Sequence, residues 1–153
     1  MRTIDLPGEE QPNSLEEWGP VAQIDIAHGP QGIGQSFQFH GGNYVALIDT
    51  GARMSCVDSG LAERLNLPIV GSPIEGVGAT GPFNSDPVLG RIHIEDFDTV
   101  VYGRFLALPL VEHDQPYHAL IGRDILRRGK FTYDGVTGSW SMKIEPTDDY
   151  NRS

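Results

Sequence analysis

The chain has 153 residues, 39% of them hydrophobic, and its 11 Lys and Arg residues against 21 Asp and Glu residues give a formal charge of −10 at pH 7. This length fits one domain with its own core, and the charge argues against nucleic acid or an anionic membrane as the main partner. The sequence contains no apolar run long enough to span a membrane and no signal-peptide core, so we expect a cytoplasmic protein.

Residues 1–20 are polar, acidic and interrupted by proline, which predicts a loosely held arm that Leu15 and Trp18 can anchor. Apolar and polar residues alternate at 21–26 and again at 36–40, as is typical of half-buried strands. The polar residues 145–153 predict a frayed tail.

The stretch from Tyr44 to Ala52 places an apolar run directly before Asp49, Thr50 and Gly51. A short apolar run bounded by glycine predicts a buried strand that ends by presenting Asp49. Because Asp is rarely buried without a partner, a carboxylate at the end of such a strand is a candidate for chemistry. The alternative is that Asp49 only begins a turn.

Next, residues 54–57 predict a returning strand, and Asp58 is placed to cap a short helix that Pro68 ends. Capping explains the position of Asp58, so we favour that role over one as a catalytic partner. Cys56 is the only cysteine, which excludes an intrachain disulfide, and we interpret it as a small core residue. The histidines form no metal-binding pattern, so we expect neither a metal nor a cofactor.

The glycine-rich segment 76–81 spells G-x-G-x-x-G. A dinucleotide site requires this motif to open a helix, but Pro82 and Pro87 follow and helical periodicity does not. The segment instead predicts the tip of a hairpin that can bend against a ligand, with a plain structural loop as the alternative.

Further strands are predicted at 88–94 and 99–108, followed by a short strand ending at Val111. A second apolar strand then closes on Gly122 and leads into a short helical segment over 123–128 that Gly129 ends. Residues 131–133 and 140–144 predict a closing hairpin in which Trp140, Met142 and Ile144 share one face.

The stretch Asp49-Thr50-Gly51-Ala52 follows an apolar strand, and the stretch Leu120-Ile121-Gly122-Arg123-Asp124 contains the end of another. Together they resemble the signatures of the retropepsin-like aspartic proteases, over residues 21–144. The resemblance implies an all-β fold, a closed retropepsin-like barrel with a flap hairpin and one or two short helices.

The resemblance also implies roles for individual residues. Asp49 would be catalytic, with Thr50 and Gly51 supporting the active loop. The implied substrate contacts are Gly51, Ala52, Arg53, Val77, Gly78, Ala79 and Thr80. The implied structural second signature is Leu120, Ile121, Gly122, Arg123 and Asp124.

Hydrolysis of a peptide bond in this way needs two carboxyl groups that share one proton, one acting as base and one as acid. The chain has one Asp-Thr-Gly, so the second carboxyl must come from another copy. We therefore expect a homodimer that binds an extended peptide across its axis.

Arg53 departs from the retroviral pattern, in which an acid at that position pairs with the Arg of the second signature. Arg123 therefore needs another partner, such as Asp124 or a residue of the other subunit. The function predicted is that of an aspartic endopeptidase, with a catalytically silent retropepsin-fold peptide-binding or dimerisation module as the alternative.

Overall fold

The computed structural model describes residues 14–27, 44–78, 81–112 and 116–145, and most of these residues are in strands. The strands are β1 (Val21–Ala27), β2 (Tyr44–Ile48), β3 (Cys56–Asp58), β4 (Ile74–Gly78), β5 (Gly81–Ser85), β6 (Pro87–Ile94), β7 (Thr99–Leu108), β8 (Ala119–Ile121), β9 (Gly129–Asp134) and β10 (Ser139–Ile144). The helices are α1 (Ser14–Trp18), α2 (Ser59–Arg64) and α3 (Arg123–Leu126), and Glu95–Phe97 forms a 3-10 turn. The strand predicted at 36–40 lies outside the described residues.

A closed barrel is formed by six strands in the order β1, β2, β8, β3, β7, β6. Strand β1 pairs antiparallel with both β2 and β6, which closes the barrel. Two neighbouring pairs, β2 with β8 and β3 with β7, run parallel. The predicted all-β class and closed barrel are therefore confirmed.

Alternating side chains of the strands fill the barrel interior. On β1, Ala22, Ile24 and Ile26 are at most 1% exposed, and Ile92 of β6 and Phe105 of β7 join the same core. Fully burying an aliphatic or aromatic side chain of this size contributes about 1.5–3 kcal/mol. Because side chains occupy the interior, polar chemistry must take place outside the barrel.

Two hairpins lie outside the barrel, β4 with β5 and β9 with β10. In the second, Trp140 packs against Phe97 with ring centroids 5.4 Å apart and against Phe131 at 6.1 Å. Met142 and Ile144 are buried on the same strand. The predicted closing hairpin and its apolar face are thus present.

Asp58 caps helix α2, as predicted. Its Oδ2 accepts a hydrogen bond from the backbone N–H of Leu61 at 3.0 Å, and its Oδ1 accepts one from the N–H of Val111 at 3.0 Å. The prediction of a strand ending at Val111 is wrong, because residues 110–112 form a turn. Because the Asp58 side chain accepts the backbone N–H of Val111, this N–H is not available to pair with a neighbouring strand.

Helix α1 was not predicted from the sequence. Its Leu15 is buried, and Gly19, with a positive φ of 76°, donates to the Leu15 carbonyl at 3.1 Å as the helix ends. The Pro20 carbonyl then accepts from the N–H of Ile48 at 2.8 Å. This bond brings the start of the barrel beside the last residue before Asp49.

None of the described helices has the length and apolar character needed to cross a membrane.

Candidate active site

Asp49 follows directly on β2, at the point where the parallel pairing of β2 with β8 ends. Its backbone N–H donates to the carbonyl of Ile121, the last residue of β8, at 2.8 Å. Both strands are apolar because their inward side chains belong to the core, whereas Asp49 itself is half-buried. The register of two short parallel strands therefore fixes where the carboxylate lies.

The Asp49 carboxylate is held by its own turn. Oδ1 accepts the backbone N–H of Gly51 at 2.9 Å, and the Asp49 carbonyl accepts the N–H of Ala52 at 3.2 Å. A Cβ atom on Gly51 would stand 3.1 Å from this Oδ1, so a side chain there would crowd the carboxylate. Among the described residues, Oδ2 has no hydrogen-bond partner, which leaves one oxygen available to a reactant.

Three hydrogen bonds join the Asp49 turn to the second signature. The backbone N–H of Arg123 donates to the Ala52 carbonyl at 2.8 Å, and that of Asp124 donates to the Arg53 carbonyl at 3.2 Å. The Arg123 guanidinium also donates to the Thr50 carbonyl at 2.9 Å. The two stretches that the resemblance paired are therefore one unit in the structure.

Arg123 thus binds a backbone carbonyl and not the Asp124 carboxylate suggested from the sequence. Asp124 is already bound to Ser55, whose backbone N–H donates to both of its oxygens at 3.1 and 3.0 Å and whose hydroxyl donates to Oδ1 at 2.7 Å. The Ser55 hydroxyl also accepts the N–H of Gly122 at 2.8 Å.

Ser55 is fully buried and was missed by the sequence analysis. A buried hydroxyl that both donates and accepts satisfies polar groups that would otherwise be costly to bury. The available signal was a small hydroxyl residue just before the buried strand β3. Its partners become apparent only once β3 and β8 are seen to be neighbours.

Gly122 lies where the two backbone segments approach most closely. A Cβ atom there would stand 2.8 Å from the Ala52 carbonyl oxygen and 3.0 Å from the Met54 carbonyl carbon. Backbone atoms cannot move aside as the end of a flexible side chain can. The glycine of the second signature is therefore required by space.

The pKa values of two other ionisable groups are shifted by burial and by the charges of this region. Burial, with the nearby carboxylates of Asp124 and Asp49, raises the pKa of the Cys56 thiol to about 12. Burial and the Asp49 charge also raise the pKa of Tyr117, whose hydroxyl donates to the Trp18 carbonyl at 3.4 Å. Cys56 is thus a protonated core residue, as predicted, and not a nucleophile.

The glycine-rich segment forms the end of the β4–β5 hairpin, where Gly78 pairs with Gly81. Gly76 has no room for a side chain because the Phe83 ring fills that space. Val77 is 83% exposed. Strand β5 follows the glycines, so the helix that a dinucleotide site requires does not form. Ala79 and Thr80 lie outside the described residues.

The sequence-predicted residues therefore fall into two groups. Residues 49–53 and 120–124 are brought together by hydrogen bonds and strand pairing. Val77 and Gly78 lie on the separate β4–β5 hairpin. Within the described ranges, His, Cys, Asp and Glu side chains make no group of three or more suited to hold a metal ion.

The closed barrel is that of the retropepsin-like fold expected from the sequence, and the chain belongs to the aspartyl protease family, whose match covers residues 36–125. It is 27% identical over 150 residues to Protein DDI1 homolog 1 of Mus musculus, covering 89% of this chain and 32% of that protein. It is 30% identical over 119 residues to Protein DDI1 homolog 1 of Homo sapiens, covering 72% of this chain and 29% of that protein.

The chain thus spans about a third of the length of the curated relatives it matches. Among solved structures, the solution structure of Simian Foamy Virus (mac) protease is similar with a TM-score of 0.43 and 17% identity, covering 69% of this chain and 89% of that one.

Proposed function

We propose that the protein is an aspartic endopeptidase that acts as a homodimer, with Asp49 of each subunit contributing one of the two catalytic carboxyls. Membership of the aspartyl protease family supports the class of reaction. The observation that carries the proposal is the state of Asp49, which is half-buried, held at Oδ1 by the Gly51 N–H and open at Oδ2 towards any partner outside the described residues.

The chemistry requires a second acid. Two carboxyls held close together resist double ionisation, so they share one proton and act as a base and an acid in the same step. The ionised carboxylate removes a proton from water while the neutral acid donates to the peptide carbonyl oxygen, and water attacks the carbonyl carbon. Because the sequence has one Asp-Thr-Gly, two-fold symmetry is the arrangement that provides the second carboxyl.

The remaining roles follow from this arrangement. Thr50 stabilises the active loop across the two-fold axis, and Gly51 and Ala52 accept the substrate backbone. The β4–β5 hairpin acts as a flap over an extended peptide, with Val77 and the glycines beside it, together with Ala79 and Thr80, forming its contact surface. Val77 is 83% exposed, so its side chain is available to contact a peptide that lies against the hairpin.

The test is hydrolysis of a denatured protein substrate between pH 3 and 7 by the wild-type chain and by Asp49→Asn. We expect the wild type to cleave the substrate. The Asp49→Asn variant should lose activity by several orders of magnitude, because the amide that replaces the carboxyl cannot ionise. Specific activity should also fall on dilution as the dimer dissociates, which sedimentation can follow in parallel. Equal results for the two proteins would instead favour the silent peptide-binding module.

A further inference from the structure

Two arginines belong to the hydrogen-bonded segments around the Asp49 turn. Arg53 and Arg123 are both exposed, and in the described part of the chain neither guanidinium forms an ion pair. The Arg53 side chain makes no hydrogen bond there either, whereas one nitrogen of Arg123 donates to the Thr50 carbonyl. In a chain with 21 acidic and 11 basic residues, two exposed arginines that form no ion pair among the described residues are available to an acidic ligand.

The backbone that carries these arginines is fixed relative to Asp49. The carbonyls of Ala52 and Arg53 accept the N–H groups of Arg123 and Asp124 at 2.8 and 3.2 Å. Arg53 follows Asp49 by four residues, which places the two Cα atoms at most about 14 Å apart. An extended peptide advances about 3.3 Å per residue, so this span corresponds to about four substrate residues.

We infer that Arg53, with Arg123 beside it, gives the site a preference for peptides with a Glu or Asp side chain within about four residues of the scissile bond. The inference rests on the proposed function and specifies its substrate class. A guanidinium presents several N–H donors in a plane and binds a carboxylate through two parallel hydrogen bonds. The chain carries a formal charge of −10, so acidic peptides gain no general attraction to its surface and their binding depends on local cations such as these.

Binding to the Asp49→Asn protein tests the inference without relying on catalysis. The probe is a fluorescein-labelled decapeptide of Ala, Leu, Phe and Gln in which one Gln at a time is changed to Glu, with fluorescence anisotropy as the readout. We expect the best-placed Glu to lower Kd by roughly two- to fivefold, as exposed ion pairs do. The gain should shrink in 0.5 M salt, which screens exposed charges.

Three variants in the Asp49→Asn background assign the effect to Arg53. Arg53→Gln should abolish the preference for Glu, and Arg53→Glu should invert it towards a Lys-containing probe. Arg64→Gln is the matched control, because Arg64 is an exposed arginine in the last turn of α2 and the same charge change there should leave the preference intact. Circular dichroism verifies that each variant is folded.

Equal Kd values for Glu and Gln probes, no binding of any probe, or a preference that survives Arg53→Gln would each overturn the inference. The proposed function is tested separately. The wild-type protein is incubated with the parent decapeptide, in which no Gln has been changed to Glu, and mass spectrometry detects the cleavage products. Cleavage without a charge preference would support the proposed protease activity and exclude Arg53 as a determinant of specificity. A charge preference in binding without any cleavage would support the role of Arg53 in binding and contradict the proposed protease activity.

Discussion

The Ser55 hydroxyl donates a 2.7 Å hydrogen bond to Oδ1 of Asp124 and at the same time accepts the N–H of Gly122 at 2.8 Å. One buried side chain therefore links the segment after Asp49 to the start of α3. The hydrogen bonds of the Asp49 turn to residues 121–124 depend on these two segments remaining in contact.

Removing the Asp124 carboxylate should destabilise the protein. Asp124→Ala leaves the buried N–H and hydroxyl of Ser55 without acceptors, and unsatisfied buried groups typically cost about 1–3 kcal/mol. Chemical denaturation of the two proteins measures the difference in the free energy of unfolding.

Asp134→Ala is the matched control for this change. Asp134 also accepts two backbone N–H groups, those of Val136 and Thr137, but in an exposed turn where water replaces a lost acceptor. Its loss of stability should therefore be smaller. Similar losses for the two variants would mean that Ser55 finds other partners when Asp124 is absent.

Gly122→Ala should destabilise the fold because its Cβ would meet backbone atoms of Ala52 and Met54 at 2.8–3.1 Å. Overpacking of this kind costs about 1–3 kcal/mol, and thermal denaturation measures it as a lower Tm. Gly103→Ala is the control, since a Cβ added there meets no heavy atom within 4 Å. A Tm for Gly122→Ala equal to that of Gly103→Ala would contradict the close approach.

Cys56 should be unreactive in the folded protein. With its pKa raised to about 12, chiefly by burial, the thiol is almost wholly protonated at pH 8, and the thiolate is the form that attacks disulfide reagents. Incubation with 5,5′-dithiobis(2-nitrobenzoate) at pH 8 should release no thiol chromophore until guanidinium chloride is added. One thiol per chain should then react, and prompt labelling of the native protein would contradict its burial.

Acid should destabilise the protein through His118. Burial is the main cause that lowers its pKa below the usual value of 6.5, and its Nδ1 accepts the N–H of Val45 at 3.3 Å in the neutral form. The unfolded chain takes up the proton first, so this contribution is complete above pH 6.5 and is lost as the pH falls through the lowered pKa.

His118→Asn provides the comparison, because an amide oxygen can accept from Val45 and does not titrate. Unfolding of both proteins between pH 7.5 and 4.5 should show a steeper acid loss for the wild type. A proton NMR titration should place the His118 midpoint below 6.5. Parallel stability profiles for the two proteins would exclude this histidine as the cause.

The sequence predicted the strands that present Asp49 and Gly122, because both are short apolar runs that end in residues with special roles. It also predicted the capping role of Asp58, because an Asp directly before a short helical pattern is a local signal. Helix α1 was missed because its five residues are too few to show a helical period. The hairpin glycines were recognised from local turn chemistry.

The connections between distant segments could not be predicted in the same way. The bond between Ser55 and Asp124 joins residues 69 positions apart and depends on β3 and β8 being neighbours. The partner of Arg123 is a backbone carbonyl, a group that every residue carries and that no sequence pattern distinguishes. For this reason the suggested pairing with Asp124 was wrong although the importance of both positions was recognised.

The 73 positions between Thr50 and Arg123 also set an order of events during translation. The ribosome makes the Asp49 loop long before it makes the strand and helix that hold that loop in place. Domains complete such distant pairings only after the later segment has emerged from the exit tunnel. A growing chain that lacks residues 119–126 therefore carries Asp49 on a turn without its hydrogen-bond partners, and the loop reaches its final geometry only after those residues have been made.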